Sequence, residues 1–138
     1  MATFLDTNVI AYAFDRSAGD KRDRALAILA DDAEELVVSP QVMAEFYVTA
    51  TRTFAEPLPA SVAHDVVREL ARLTVAPLDA DTTLTAITVA HEHRIAFWDA
   101  QIVAAAVRSG CDTLLSENLN HGQRILDVEV VNPFLDGA

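Results

Sequence analysis

The stretch ATFLDTNVIAYAFD, residues 2–15, decides how this chain is read. Ala2 to Leu5 is a short apolar run that predicts a strand, and it stops at an acid, Asp6. From about Asn8 to Asp15 the pattern predicts a helix that starts almost at once. A strand running directly into a helix is the opening of a βαβ unit. In open parallel sheets functional groups collect at the carboxyl ends of the strands, which is where Asp6 falls.

The same alternation continues outward. Asp20 to Asp32 predicts a second helix, with Ala25, Leu26, Ile28 and Leu29 on one side, and Glu35 to Ser39 a strand. Ser39 is a suitable N-cap and Pro40 a tolerated first helical residue, opening a helix to about Phe54. After Pro57 and Pro59, Ser61 to Leu73 predicts a helix with Val62, Val66, Val67, Leu70 and Leu73 as its apolar stripe. Thr74 to Pro77 predicts a strand, and Asp81 to His93 a helix capped by Asp79 or Asp81. Trp98 to Ser109 predicts a very apolar helix closed by Gly110. Thr113 to Leu115 predicts a strand, followed by the loop SENLNHG, a helical turn over Gln123 to Leu126 and a last strand over Val128 to Val131. The expectation is an α/β protein with a sheet covered on both faces.

Composition narrows the function. The chain has 138 residues, 51% hydrophobic and 22% charged, which suits one globular domain over 1–138 rather than a disordered chain. No repeat or low-complexity tract interrupts it. Cys111 is the single cysteine, so neither an intramolecular disulfide nor a multi-cysteine zinc site can form, and it is expected as core packing. No apolar run approaches the roughly 20 residues of a membrane span. The start, Met-Ala-Thr-Phe-Leu-Asp, lacks a basic segment, so the expected location is cytoplasmic, with no membrane partner. The formal charge of −11 excludes a simple electrostatic grip on nucleic acid. An acidic protein acts on phosphates when its carboxylates hold divalent ions, because the metal inverts the local sign. A basic protein partner is equally compatible.

Four acids stand in informative places: Asp6 after the first strand, Glu45 beside the face formed by Val42, Met43, Phe46, Tyr47 and Ala50, Asp99 early in the late apolar helix, and Glu117 after the strand ending at Leu115. Each has a structural explanation. Asp6 suits an N-cap. Glu45 suits a core-boundary position paired with an arginine such as Arg52. Asp99 suits the helix macrodipole, and Glu117 with Asn118 an Asx turn. Taken together, a parallel sheet lets all four reach one edge. Converging carboxylates repel unless a cation lies among them. Oxygen ligands without a Cys or His cluster select Mg²⁺ or Mn²⁺, which serve phosphodiester hydrolysis. Thr7, Asn8 and Ser116 are placed to orient ligands or water. The histidines add little. His91 and His93 lack the i, i+4 spacing of a zinc pair, His64 is expected at the surface, and His121, in the loop after Glu117, as a loop-stabilising residue rather than the alternative, a substrate contact. Arg22, Arg24, Arg94 and Arg108 are the candidate contacts for a phosphate-bearing substrate.

The order of FLDTNVIAYAFD (4–15), SPQVMAEF (39–46) and FWDAQIVAAAVRSGCDTLLSENLNHGQ (97–123) resembles the PIN-domain ribonucleases, in particular the VapC toxins of VapBC toxin–antitoxin modules. The resemblance spans nearly the whole chain. It implies a three-layer α/β/α PIN-like domain with a small, mostly parallel central sheet. It also implies a Mg²⁺- or Mn²⁺-dependent endoribonuclease acting on RNA, often tRNA or rRNA, leaving a 5′-phosphate and a 3′-hydroxyl. Asp6, Glu45 and Asp99 match the family's acids. Related toxins commonly carry Asp where this sequence has Asn118, and Glu117 is the alternative ligand. On this reading Asp6, Asp99 and Glu117 hold the metal and Glu45 completes the pocket, with Asn118 among the supporting residues. The family further implies a homodimer and a cognate VapB-like antitoxin that places a basic side chain in the acidic pocket. Ile10, Tyr12 and Phe14 are candidates for receiving such a helix or a second subunit, or for ordinary core packing. Two rival readings remain open: a degenerate PIN-fold module that binds RNA or protein without cleaving, and another metal-dependent phosphoesterase or nuclease.

Overall fold

The strand over Ala2–Leu5 forms as β1 and occupies the interior of the sheet. Thr3, Phe4 and Leu5 are all buried. Successive strand side chains face opposite sides, so burial of all three means both faces are covered. The structure is a computed structural model describing residues 1–135. The last three residues of the domain expected over 1–138 lie outside the described residues. β1 is followed by α1 (Thr7–Phe14), α2 (Asp20–Leu29), β2 (Glu35–Val38), α3 (Pro40–Val48), α4 (Ala60–Leu70), β3 (Thr74–Val75), α5 (Ala80–His93), α6 (Phe97–Arg108), β4 (Thr113–Leu115), β5 (Arg124–Ile125) and β6 (Val128–Val131).

The sheet order is β3-β2-β1-β4-β6-β5. β1 pairs in parallel with β2 and β4, and the parallel pairing extends from β2 to β3 and from β4 to β6. The chain builds outward from β1 through β2 to β3, then returns with β4 on the other side of β1. The reversal of strand order therefore lies between β1 and β4, the place where an open α/β sheet offers a crevice. Phe4, Leu5, Ile10, Phe46, Ile102 and Leu114 are fully buried and tie the sheet to α1, α3 and α6. The mostly parallel sheet between helical layers matches the expected architecture. No helix among the described residues is long and apolar enough to cross a membrane.

Local chemistry explains most element ends. Ser39 Oγ accepts a hydrogen bond from the Val42 N–H at the start of α3, and Asp79, not Asp81, caps α5 by accepting from the Thr82 N–H. α6 ends on Gly110 at φ +74°, with the Gly110 N–H donating to Val107 O and the Cys111 N–H to Ala106 O. This is the reciprocal C-terminal cap that favours glycine, and it turns Cys111 into the core. Arg94 stands in the corresponding place after α5, at φ +54°, where a side chain crowds the backbone.

Several expectations are corrected. Gln123 to Leu126 is not a helical turn. Arg124–Ile125 forms an edge strand antiparallel to β6, because Ile125 is wholly buried and Leu126-Asp127 closes a two-residue hairpin loop. The α-helix predicted to Phe54 ends at Val48 and continues as a π-helical turn over Thr49–Thr53. Its threonines compete for the backbone: Thr51 Oγ1 donates to Tyr47 O at 2.7 Å. Tyr47 and Val62 are exposed rather than in the core; Ala63 takes the buried place on α4. Of Ile10, Tyr12 and Phe14, Ile10 is fully buried and the half-buried Phe14 packs edge-on against Phe46 at the core, whereas the half-buried Tyr12 lies on the other side of α1 against Phe134. Replacing Arg94 with glycine removes the left-handed penalty at the end of α5 and should raise stability by roughly 0.5–1 kcal/mol, read as a shift in the urea midpoint at constant slope.

Candidate active site

Asp6 leaves β1 and caps α1. Its Oδ1 accepts from the Thr7 N–H at 2.7 Å, and its Oδ2 accepts from Ser116 Oγ at 2.8 Å. Capping and site-building are thus performed by one side chain. The backbone places the two partners together: the Asp6 N–H donates to Leu115 O, continuing the β1–β4 ladder to the start of the next loop. Ser116 Oγ also accepts from the Asn118 N–H at 3.2 Å, which shapes that loop.

Glu45 reaches the same place from α3. Its Oε1 accepts from Thr7 Oγ1 at 2.7 Å and its Oε2 from Gln41 Nε2 at 3.3 Å. Thr7 and Gln41 are the partners found for this carboxylate, in place of the arginine expected from the sequence; Arg52 is exposed on the π-helical turn. Asp99 comes from the first turn of α6, where no side chain caps the helix. Asp6, Thr7, Asn8, Glu45, Asp99 and Asn118 line one cavity of about 430 Å³. Ala44, Val48 and Thr49 complete it, so the π-helical turn forms part of the wall.

The structure therefore brings together Asp6, Glu45 and Asp99 with Thr7, Asn8 and Asn118. Ser116 lies behind them, fully buried against Asp6. Glu117 is directed elsewhere. Its Oε2 meets Lys21 Nζ at 2.6 Å, and its Oε1 accepts a hydrogen bond from the Tyr12 hydroxyl. Asn118 takes the place at the cavity, bridged to Asn8 by a 3.1 Å amide–amide hydrogen bond. Arg22, Arg24, Arg94 and Arg108 do not line the cavity. Arg24 donates to Pro133 O, and Arg108 pairs with Asp79 and Asp81. His64 is exposed, and His121 Nδ1 accepts from the Asn132 N–H, a loop contact.

The electrostatics follow from this crowding. Burial, opposed by the hydrogen bonds from Ser116 and Thr7 and aided by the nearby charges of Asp99 and Glu45, pushes Asp6 from 3.8 to about 6. Asp99 is also raised, first by burial and then by Glu45. Glu117 behaves oppositely: burial pulls it up, but the hydrogen bonds from Lys21 and Tyr12 outweigh that and hold it below the ordinary carboxylate value. The donors around the cavity are oxygens, a set that suits a hard dication rather than zinc or copper. Among the described residues no three carboxylates, imidazoles or thiolates stand close enough to hold one ion directly. The group fits an ion held by one or two carboxylates with water completing its shell, as Mg²⁺ prefers.

Sequence reasoning overlooked the amides behind Glu45. Gln41 Nε2 also donates to Trp98 O at 3.1 Å, Gln101 Nε2 donates to Gln41 Oε1 at 3.1 Å, and Thr83 Oγ1 donates to Gln101 Oε1 at 2.9 Å. This relay links α3, α5 and α6. The available signal was a buried-helix pattern interrupted by glutamines: Gln41 lies one turn before Glu45, and Gln101 breaks the apolar run after Asp99. Lys21 and Tyr12, the partners of Glu117, were likewise missed as a pair.

A family model described as PIN domain matches residues 3–123. No curated protein matches the chain significantly. Among solved structures, a toxin–antitoxin complex from Klebsiella pneumoniae is similar over 96% of this chain and 98% of that chain, with 19% identity and a TM-score of 0.72. The VapBC-1 structure from nontypeable Haemophilus influenzae covers 96% and 98%, with 21% identity and a TM-score of 0.68. A sarcin–ricin loop-cleaving VapC toxin of Mycobacterium tuberculosis covers 81% and 86%, with 23% identity and a TM-score of 0.65. At these identities the likeness is one of fold.

The raised Asp6 gives a signed pH dependence. Its folded value lies above its unfolded one, so the folded state binds the proton more tightly. That contribution is complete below about pH 4 and is lost as pH rises through about 6. In EDTA, Asp6→Asn should be more stable than wild type at about pH 7.5 by roughly 1–3 kcal/mol and should flatten the fall between about pH 4 and 7. Urea unfolding across that range checks it; parallel profiles for the two proteins count against crowding at this site. Gln101→Leu should lose roughly 1–3 kcal/mol by stranding Gln41 Oε1 and Thr83 Oγ1, read in the same assay.

Proposed function

The chain belongs to the PIN-domain family, and from that premise we propose that it is a Mg²⁺- or Mn²⁺-dependent endoribonuclease toxin of the VapC type, neutralised by a cognate VapB-like antitoxin. The observation that carries the reading is the cavity in which Asp6, Glu45 and Asp99 meet from three separate elements. None of the three is neutralised by a lysine or arginine among the described ion pairs, whereas Glu117 is. Holding such groups together without a cation costs stability, which a purely structural role does not explain.

In this reading Asp6 and Asp99 hold the ion, directly or through water, and Glu45 completes the acidic wall. When bound, the ion polarises a phosphoryl oxygen and makes water a better nucleophile. Ser116 and the Thr7 N–H fix the two oxygens of Asp6, and Thr7 Oγ1 and Gln41 fix those of Glu45, so the acids keep their orientation. Lys21 ties Glu117 to α2 and thereby sets the loop that carries Asn118. The substrate is RNA, with tRNA and rRNA as the candidate classes. The solved relatives named as toxin–antitoxin complexes support an antitoxin partner. A basic antitoxin side chain entering the cavity meets complementary charge, and the net −11 of this chain favours that encounter. A homodimer and a cytoplasmic location belong to the same proposal.

The purified chain should cleave structured RNA with Mg²⁺ and not with EDTA. Asp6→Asn and Asp99→Asn should each lower the rate by at least roughly 100-fold. Equal cleavage by wild type and both variants rejects the site. Absence of cleavage together with absence of Mn²⁺ binding favours the non-cleaving module, which Asn118 at the cavity wall makes the second reading.

A further inference from the structure

Beside the acid cavity lies a second, more apolar one of about 380 Å³, walled by Pro40, Ala44, Glu45, Leu78 and Trp98. Ala44 and Glu45 line both cavities, so the two are adjacent. Trp98 precedes Asp99 in the chain and is 63% exposed, an unusual state for so large an apolar ring. It is nevertheless built in. Its backbone oxygen accepts from the buried Gln41, and the Phe97 ring meets the indole edge-on at 5.1 Å. The bond from Gln41 fixes the backbone and Phe97 restricts one edge of the ring, so the indole loses less side-chain freedom on meeting a flat partner than an unpacked ring would.

Charge decides what that partner is. Among the described residues no lysine or arginine lines either cavity, and the chain carries −11 overall. A nucleic acid held here cannot draw its affinity mainly from counterion release, the usual source. Stacking of a base on an aromatic face is the main alternative and works for every base. We propose that Trp98 is a substrate-positioning residue: its indole stacks on an unpaired base of the strand whose phosphate enters the acid cavity, making unstacked nucleotides the preferred cutting sites. This rests on the nuclease reading above and adds the feature of RNA that is recognised. Bases within an A-form duplex are stacked on their neighbours and unavailable to such a surface.

Trp98 is the single tryptophan of the chain, so its emission reports on this surface alone. A short mixed-sequence single-stranded oligoribonucleotide is mixed rapidly with the full chain in Mg²⁺, and emission is read before cleavage. Saturable quenching is expected, and duplex RNA of the same sequence should quench far less. With Mg²⁺, Trp98→Ala should raise KM roughly 5- to 150-fold with a much smaller change in kcat, and Trp98→Phe should recover most of the loss. Circular dichroism confirms that both variants fold. If single-stranded RNA binds and is cleaved while emission is unchanged and Trp98→Ala keeps the wild-type KM, stacking is overturned and the nuclease reading stands. If RNA is neither bound nor cut, the nuclease reading fails and stacking with it. If emission follows protein concentration rather than RNA, the indole is covered by a second copy of the chain, and the proposal is likewise overturned.

Discussion

The structure turns on a repulsion that the fold contains rather than avoids. Asp6, Glu45 and Asp99 are drawn to one cavity by β1, α3 and α6, and two of them are held above the ordinary carboxylate value by burial and by their neighbours. The fold contains them by satisfying individual oxygens. The Thr7 N–H and Ser116 occupy Asp6, and Thr7 Oγ1 and Gln41 occupy Glu45. Each donor is neutral, so the excess negative charge stays available to whatever enters. Had lysines filled these roles, the acids would be structural ion pairs of the kind that Glu117 forms with Lys21.

Much of the fold was legible because it is written locally. β1, β4 and β6 have the expected bounds, since each is a short apolar run between polar turns. Ser39, Asp79 and Gly110 do what their chemistry favours at helix ends. What escaped was decided by partners distant in sequence or by a small local balance. A two-residue strand such as Arg124–Ile125 exists through its pairing with β6 and the burial of Ile125, not through its own propensity. The π-helical turn at Thr49–Thr53 depends on threonines competing with the helix for backbone oxygens, which periodicity does not register.

The candidate site shows the same division. Asp6, Glu45 and Asp99 were found by asking which acids a parallel sheet carries to one edge, a question about topology. Glu117 and Asn118 are adjacent in sequence, and topology takes both to that edge. Which of them faces the cavity is settled by Lys21 and Tyr12, about a hundred residues earlier, and no local pattern records that choice. Gln41 and Gln101 escaped because a glutamine in an apolar helix reads as a surface residue until its partners on the neighbouring helices are known.

The position of β1 between β2 and β4 also bears on how the molecule comes into being. Its register with β4 joins Thr3 to Thr113 and Leu5 to Leu115, and Asp6 receives the Ser116 hydroxyl only after that pairing. During translation the first strand leaves the ribosome long before its partner, and such non-local pairing closes late. A nascent chain that already carries Asp6, Glu45 and Asp99 still lacks Ser116, which orients Asp6, and Asn118, which lines the cavity. The cavity is thus completed only when the last part of the chain has emerged, by topology alone.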